Sequence, residues 1–318
     1  MVEIGEEVKR LIHQHDRITI LTNMRAEADS LGTALCIYTL LKASRKQVEV
    51  VSFSKELPHH LNFLPNFSKI KSHIDFDESL IIACDSKRVE DLGFDVLKKE
   101  IINIDHDANN SEYGTVNVVD KGAVATSEVA YRLFNALYTI DKGSALCLYT
   151  ALVADTDYFT TPNVNRESFE LASELLSYGI DTNLVRYNLK ERRSLASFRL
   201  LTLALSSVEI QLDGELVFLS ITTEDFLESG ATLADTNGVV EYAISLVTAK
   251  IGVLLVALEE SICVSMRSKN IDILPLAYHF HGSGDKQLVD FELKNNNLKT
   301  IISEIRDEIK QRNILDET

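Results

Sequence analysis

Proline and glycine are scarce in this 318-residue chain, with 4 and 13 copies, which argues against long linkers and low-complexity tracts. Long apolar runs are missing too. The most apolar stretch, Ile251 to Leu258, falls far short of the ~20 residues that a membrane-crossing helix needs. No CxxC pair occurs: Cys36, Cys84, Cys147 and Cys263 are widely scattered in apolar surroundings. That pattern speaks against a disulfide framework and for reduced core residues of a cytoplasmic protein. The first residues, MVEIGEEVKRL, are acidic and amphipathic and lack the basic-then-apolar layout of a secretory signal. Positive charge is short as well, with 32 Lys+Arg against 48 Asp+Glu and a formal net charge of −16. A fold-wide footprint for long duplex DNA or an anionic membrane is therefore not expected. A small phosphate ligand remains compatible, because local residues or metal ions can supply the positive charge.

What is present reads as an ordinary globular mixture, 45% apolar and 25% charged. Over the first 180 residues short β-branched runs alternate with helical patterns. Strands are expected at 17–22, 47–53, 80–84 and 101–104, and helices at 30–41, 123–138, 144–154 and 166–178. The runs at 80–84 and 101–104 are nearly continuous in apolar residues, as parallel strands covered on both faces should be. The fold class expected is α/β with a parallel sheet. Between Arg186 and Arg199 the composition turns locally basic, with Glu191 the single acid. This stretch is read as a helical linker at 186–199, separating a domain at 1–185 from a smaller α/β domain at 200–318. It either forms a solvated helix face or tracks the backbone of a short oligonucleotide. The second domain mixes strands with helices and ends in a helix carrying Leu298, Ile301, Ile302, Ile305 and Ile309 on one stripe.

Ligands of open α/β sheets bind beyond the carboxyl ends of the strands, where successive loops converge. The polar residues in those places are Asn23, Glu27 and Asp29 after the first strand, Asp85 after the 80–84 run, and Asp105, His106 and Asp107 after the 101–104 run. Asp155 and Asp157 close the apolar helix that starts near Ser144. Two like charges ~4 Å apart cost on the order of 4 kcal/mol at an effective dielectric near 20, so such a gathering needs neutralising. Divalent cations are the simplest remedy, and oxygen donors with one imidazole suit manganese or magnesium. Two metals ~3.5–4 Å apart form a clamp for in-line attack on phosphorus. Each residue also has a plainer reading. Asp85 could be a turn former, Asp29 could cap the helix starting at Ser30, His106 could be an ordinary buried histidine, and Arg267 could be a surface ion-pairing residue.

The motifs themselves resemble those of the DHH phosphoesterases. Asn23-Met-Arg-Ala-Glu-Ala-Asp-Ser-Leu-Gly-Thr33 is similar to the first family motif, Ile82-Ala-Cys-Asp85 to the second, and Asn103-Ile-Asp-His-Asp107 with its tail to the Asp-His-His motif. Leu148 to Asp157 resembles the fourth. Val264-Ser-Met-Arg-Ser268 and Gly282-Ser-Gly-Asp-Lys286 resemble the substrate motifs of the DHH-associated domain. The likeness runs in family order across nearly the whole chain and is closest to the NrnA-type nanoRNases and bisphosphonucleoside phosphatases, relatives of RecJ.

The resemblance implies two cation sites, for Mn²⁺ or Mg²⁺: one from Asn23, Glu27 and Asp85, the other from Asp29, Asp85, His106 and Asp155. It implies catalytic roles for Asp85, His106 and Asp107, and a phosphate-binding role for Arg267, Ser268, Gly282, Ser283, Gly284 and Lys286. The implied reaction is attack of a metal-bound hydroxide on short oligoribonucleotides, linear dinucleotides or nucleoside 3′,5′-bisphosphates. A homodimer is an expectation that rests on the relatives alone. Four positions depart from the family pattern. Asn23, Asp107 and Asp285 stand where histidine is usual, and Glu27 stands for aspartate, so the first cation site is weakened. Either the site is rebuilt around harder cations, or the chain binds a nucleotide or protein partner without hydrolysing it.

Overall fold

The computed structural model describes residues 2–24, 26–54, 57–294 and 297–316; Arg25, within the first motif, lies outside them. The chain divides into two compact units, Met1–Arg192 and Arg193–Thr318.

The first unit is built on a parallel sheet of six strands: β1 (Arg17–Thr22), β2 (Gln47–Val51), β3 (Ile70–Lys71), β4 (Leu80–Cys84), β5 (Ile101–Asp105) and β6 (Val116–Val119). Their order is β3-β2-β1-β4-β5-β6 and every pairing is parallel. The strand periodicity of two sorts the side chains of β4 and β5 into two cores. Leu80, Ile82, Cys84, Ile102 and Ile104 join the larger one, while Ile81, Ala83 and Ile101 join Leu21 and Val51 in the smaller. The expected strand at 47–53 ends at Val51, and the one at 101–104 runs one residue further, which places Asp105 inside the sheet.

The helices of this unit are α1 (Val2–Gln14), α2 (Ala28–Ala43), α3 (Thr126–Asn135), α4 (Lys142–Asp155), α5 (Arg166–Leu176) and α6 (Thr182–Arg186). Helix α3 is shorter than the 123–138 expected. Glu128 reaches back to accept the Val124 amide at 2.9 Å, and Ala125 is extended, so residues 123–125 form a lead-in rather than a first turn. Helices α2 and α4 are buried on most of their surface and pack together at Gly32, where an added Cβ would stand 2.6 Å from the Cys147 carbonyl oxygen and 2.9 Å from the Ala151 Cβ. Only a glycine lets the two backbones approach so closely. Asp141 caps α4, accepting the Ser144 amide at 2.7 Å.

The basic stretch at 186–199 is not one continuous helix. A π-helical turn covers Tyr187–Glu191, the chain is extended at Arg192, and α7 (Leu195–Ser206) starts afresh with Ser194 as its cap. The interruption lies where the two compact units meet in sequence. Three of its cations are engaged: Arg186 pairs with Glu191, Lys190 lies over the Tyr158 ring, and Arg192 donates to Asn62 and Asn188.

In the second unit the strands are β7 (Glu209–Gln211), β8 (Leu216–Ile221), β9 (Ile251–Ala257), β10 (Ile262–Ser268), β11 (Ser283–Gly284) and β12 (Leu288–Leu293). They form a mixed sheet in the order β11-β12-β10-β9-β8-β7, in which only β8 and β9 run parallel. Helices α8 (Thr223–Ser229), α9 (Val240–Ile244), α10 (Leu274–His279) and α11 (Leu298–Gln311) complete it. Ile301, Ile302, Ile305 and Ile309 of α11 are buried against one face of the sheet, and α7 and α9 cover the other. Among the described residues, no helix is long and apolar enough to cross a membrane. All four cysteines are free thiols, three of them buried.

Candidate metal centre

Four carboxylates and one imidazole gather beyond the carboxyl ends of β1, β4 and β5. Asp29, His106 and Asp155 offer ligand atoms that all lie within 4.8 Å of one another, and so do Asp85, Asp105 and His106. His106 belongs to both groups.

Each side chain is held by the local fold. Asp29 sits in the first turn of α2 and is buried. Its carboxylate accepts the Thr126 amide at 2.6 Å and the Ser127 amide at 3.0 Å, so it meets the positive end of α3. It is therefore a tie between helices and not the cap of its own. Asp85 follows β4 with a positive φ of 57°, a conformation that Asp and Asn tolerate better than most residues. Thr126 Oγ1 donates to its carboxylate at 3.1 Å. Asp105 is buried and accepts three donors: the amides of His106 at 2.6 Å and Asp107 at 3.0 Å, and Asn110 Nδ2 at 2.6 Å. His106 places Nδ1 3.4 Å from the Ala123 carbonyl and Nε2 3.5 Å from Asp155, which ends α4. A second contact of this kind fixes the ring orientation of a metal-binding histidine.

The gathering is electrostatically costly as it stands. Burial, then the charges of Asp29, Asp105 and Asp155, push the Asp85 carboxyl well above the ordinary carboxylate range. Asp155 is pushed up to about 7, first by burial and then by Asp29, with His106 acting in the opposite direction. These groups fit a divalent cation. The donors are hard oxygens with one imidazole, the combination that suits manganese or magnesium. Asn23 adds a buried Oδ1 that has no hydrogen-bond partner. Asp29, Asp85, Asp105, His106 and Asp155 are the residues that would hold such ions.

A pH dependence follows. A carboxyl whose pKa is raised by folding binds more protons folded than unfolded, so its stabilising contribution is complete at low pH and is lost as pH rises through the folded value. Between pH 6 and 8 a group at about 7 loses about 1.4 kcal/mol. Calorimetry of the metal-free protein should therefore show a melting temperature lower by about 3–5 °C at pH 8 than at pH 6 on this account. Asp155→Asn should remove that part of the slope, and saturating Mn²⁺ should reverse it. An unchanged slope in Asp155→Asn would refute the assignment.

The other expected ligands lie differently. Asn23 donates Nδ2 to the Asp85 carbonyl at 2.8 Å and reaches its carboxylate at 3.4 Å, so its evident work is to hold Asp85. Glu27 is exposed, lies outside both donor groups and acts on Asp155 through its charge. Asp107 also lies outside them. It makes a 2.7 Å ion pair with Lys87 and accepts the Asn109 amide at 2.7 Å. Burial opposes its ionisation, but the Lys87 and Asn109 hydrogen bonds prevail and its carboxyl lies below the ordinary range. Sequence reasoning passed over both Asp105 as a donor and Lys87.

In the second unit, Arg267 and Ser268 end β10, and the turn after β11 lies at the same end of the sheet, with the Ser268 amide donating to the Gln287 carbonyl at 3.0 Å. The Arg267 guanidinium pairs with Glu241 at 3.3 Å and donates to the Met266 carbonyl at 3.0 Å. Gly284 has a φ of 146°, and a Cβ there would stand 2.1 Å from the Leu288 carbonyl oxygen, so the turn requires it. Asp285 accepts the amides of Gln287 and Leu288 at 2.8 and 3.0 Å and thereby closes the hairpin. Ser283 and Gly284 are exposed, as is Lys286; Gly282 is packed against β12.

Residues 17–152 match the DHH family, N-terminal domain. Over that stretch the chain carries a DHH-family domain. It is 27% identical over 311 residues to the bifunctional oligoribonuclease and PAP phosphatase NrnA of Thermus thermophilus, covering 94% of this chain and 92% of that one. Among solved structures it resembles an exopolyphosphatase-related protein from Bacteroides fragilis, with a TM-score of 0.88 and 22% identity over 98% of this chain and 96% of that one. It also resembles RecJ from Thermus thermophilus in complex with Mn²⁺, with a TM-score of 0.55 and 13% identity over 91% of this chain and 51% of that one.

Proposed function

We propose that this DHH-family hydrolase cleaves phosphoesters of short nucleotides: short oligoribonucleotides, linear dinucleotides or nucleoside 3′,5′-bisphosphates. The observation that carries the reading is the convergence of Asp29, Asp85, Asp105, His106 and Asp155 at one edge of a DHH-type sheet. The bifunctional name of the Thermus relative supports the substrate class. Divalent ions held there, Mn²⁺ or Mg²⁺, supply positive charge to the phosphate oxygens and lower the pKa of water. Asp85, Asp105 and His106 form one donor group and Asp29, His106 and Asp155 the other. Thr126 and Asn23 keep the Asp85 carboxylate aimed. In the second unit, Arg267, Ser268 and the 282–286 turn are assigned a phosphate-binding role, for which the fork of a guanidinium is suited.

Purified protein with Mn²⁺ should release nucleoside monophosphates from 5′-phosphorylated dinucleotides, and chelation should stop it. The competing reading, binding without hydrolysis, draws on the place of Glu27 outside both donor groups. It wins if calorimetry detects metal and nucleotide binding while no product forms.

A further inference from the structure

Asp107 presents a difficulty for any enzyme that draws in a phosphate, because a carboxylate next to His106 repels the substrate. The structure resolves it through Lys87. The Lys87 ammonium lies 2.7 Å from Asp107 Oδ2, while Asp107 Oδ1 is occupied by the Asn109 amide, so the carboxylate that grips the lysine is itself fixed. The lysine backbone is anchored as well: its carbonyl accepts the Ser111 amide at 2.9 Å and the Ser111 hydroxyl at 3.1 Å. Its side chain remains 57% exposed, so an ammonium with three donors has some to spare. Lys87 stands two positions after Asp85, and its partner Asp107 adjoins His106, so the ion pair borders both donor groups.

We propose that Lys87, tethered by Asp107, contacts the phosphate of the substrate at this centre and positions it. The pair converts a repelling carboxylate into a fixed support for a cation. This assignment rests on the phosphoester reading above and names a specific binding residue within it. A fixed lysine loses less side-chain freedom on meeting an anion than a free one does, and it offsets the negative charge of a phosphodiester as it approaches four acids.

Steady-state kinetics on a 5′-phosphorylated dinucleotide with Mn²⁺ provide the test. Lys87→Ala should raise KM about tenfold or more while kcat changes less than about threefold, and Lys87→Arg should restore most of the loss. Melting temperature should hardly move, since so exposed an ion pair contributes little to stability. Lys87→Ala with Asp107→Asn separates lost attraction from new repulsion: KM should recover in part only. Calorimetric binding of AMP with Mn²⁺ should weaken by a similar factor in Lys87→Ala. The proposal is overturned if KM and AMP affinity of Lys87→Ala stay within twofold of the unmodified protein, or if Asp107→Asn restores the alanine variant fully. If the unmodified protein turns over neither a short oligoribonucleotide, a dinucleotide nor a nucleoside 3′,5′-bisphosphate, the phosphoester reading fails, and AMP binding alone then decides for or against the Lys87 contact.

Discussion

Asp85→Asn should lower Mn²⁺-dependent turnover by roughly a thousandfold, equivalent to about 4 kcal/mol of transition-state stabilisation. The substitution is nearly isosteric and leaves the left-handed backbone at position 85 comfortable, because asparagine tolerates that conformation as aspartate does. It removes the charge whose ionisation is opposed by burial and by three neighbouring acids. Two consequences therefore run in opposite directions. Cation affinity and activity fall, while the metal-free protein becomes more stable at alkaline pH, where the unmodified chain must ionise Asp85 among like charges. Turnover assays paired with thermal unfolding in chelator at pH 8 check both. Full activity in the variant would remove Asp85 from the reaction.

The second large effect is at Asp29. Asp29→Ala leaves the amides of Thr126 and Ser127 buried without their acceptor, at a cost of about 1–3 kcal/mol each. It also relieves repulsion toward Asp85 and Asp155. In chelator these terms partly cancel. With Mn²⁺ bound the repulsion is already screened, so the whole loss of about 2–6 kcal/mol should emerge. Chemical denaturation with and without Mn²⁺ measures the difference. An equal loss in both conditions would mean that Asp29 serves only to hold α3.

Much of this arrangement could be read before any coordinates. The apolar runs of β4 and β5 announced parallel strands covered on both faces. The rule that chemistry gathers beyond strand ends gave a wider set that included Asp29, Asp85, Asp105 and His106, and the resemblance to the DHH phosphoesterases grouped Asp29, Asp85, His106 and Asp155. Short edge strands such as β3 and β11, two residues each, carry no periodicity to detect. The roles that escaped notice depend on loops meeting in space. Nothing in the order of residues says that Lys87 bonds Asp107, that Asn23 grips the Asp85 backbone, or that Asp285 closes a hairpin. Asp105 was visible as a residue, but its inclusion with Asp85 and His106 required the strand to run one position further than its apolar pattern suggested.

Gly32 lies one turn beyond Asp29 on α2, and it touches α4 about one and two turns ahead of Asp155. The gap between those two carboxylates is thus dictated by backbone pressed against backbone, and loop motion elsewhere in the domain has little purchase on it. Discrimination between ions of different radius would accordingly reside in a hydrogen-sized side chain several ångströms removed from any ligand atom, and a methyl group at that spot would act as a wedge that retunes the centre from behind.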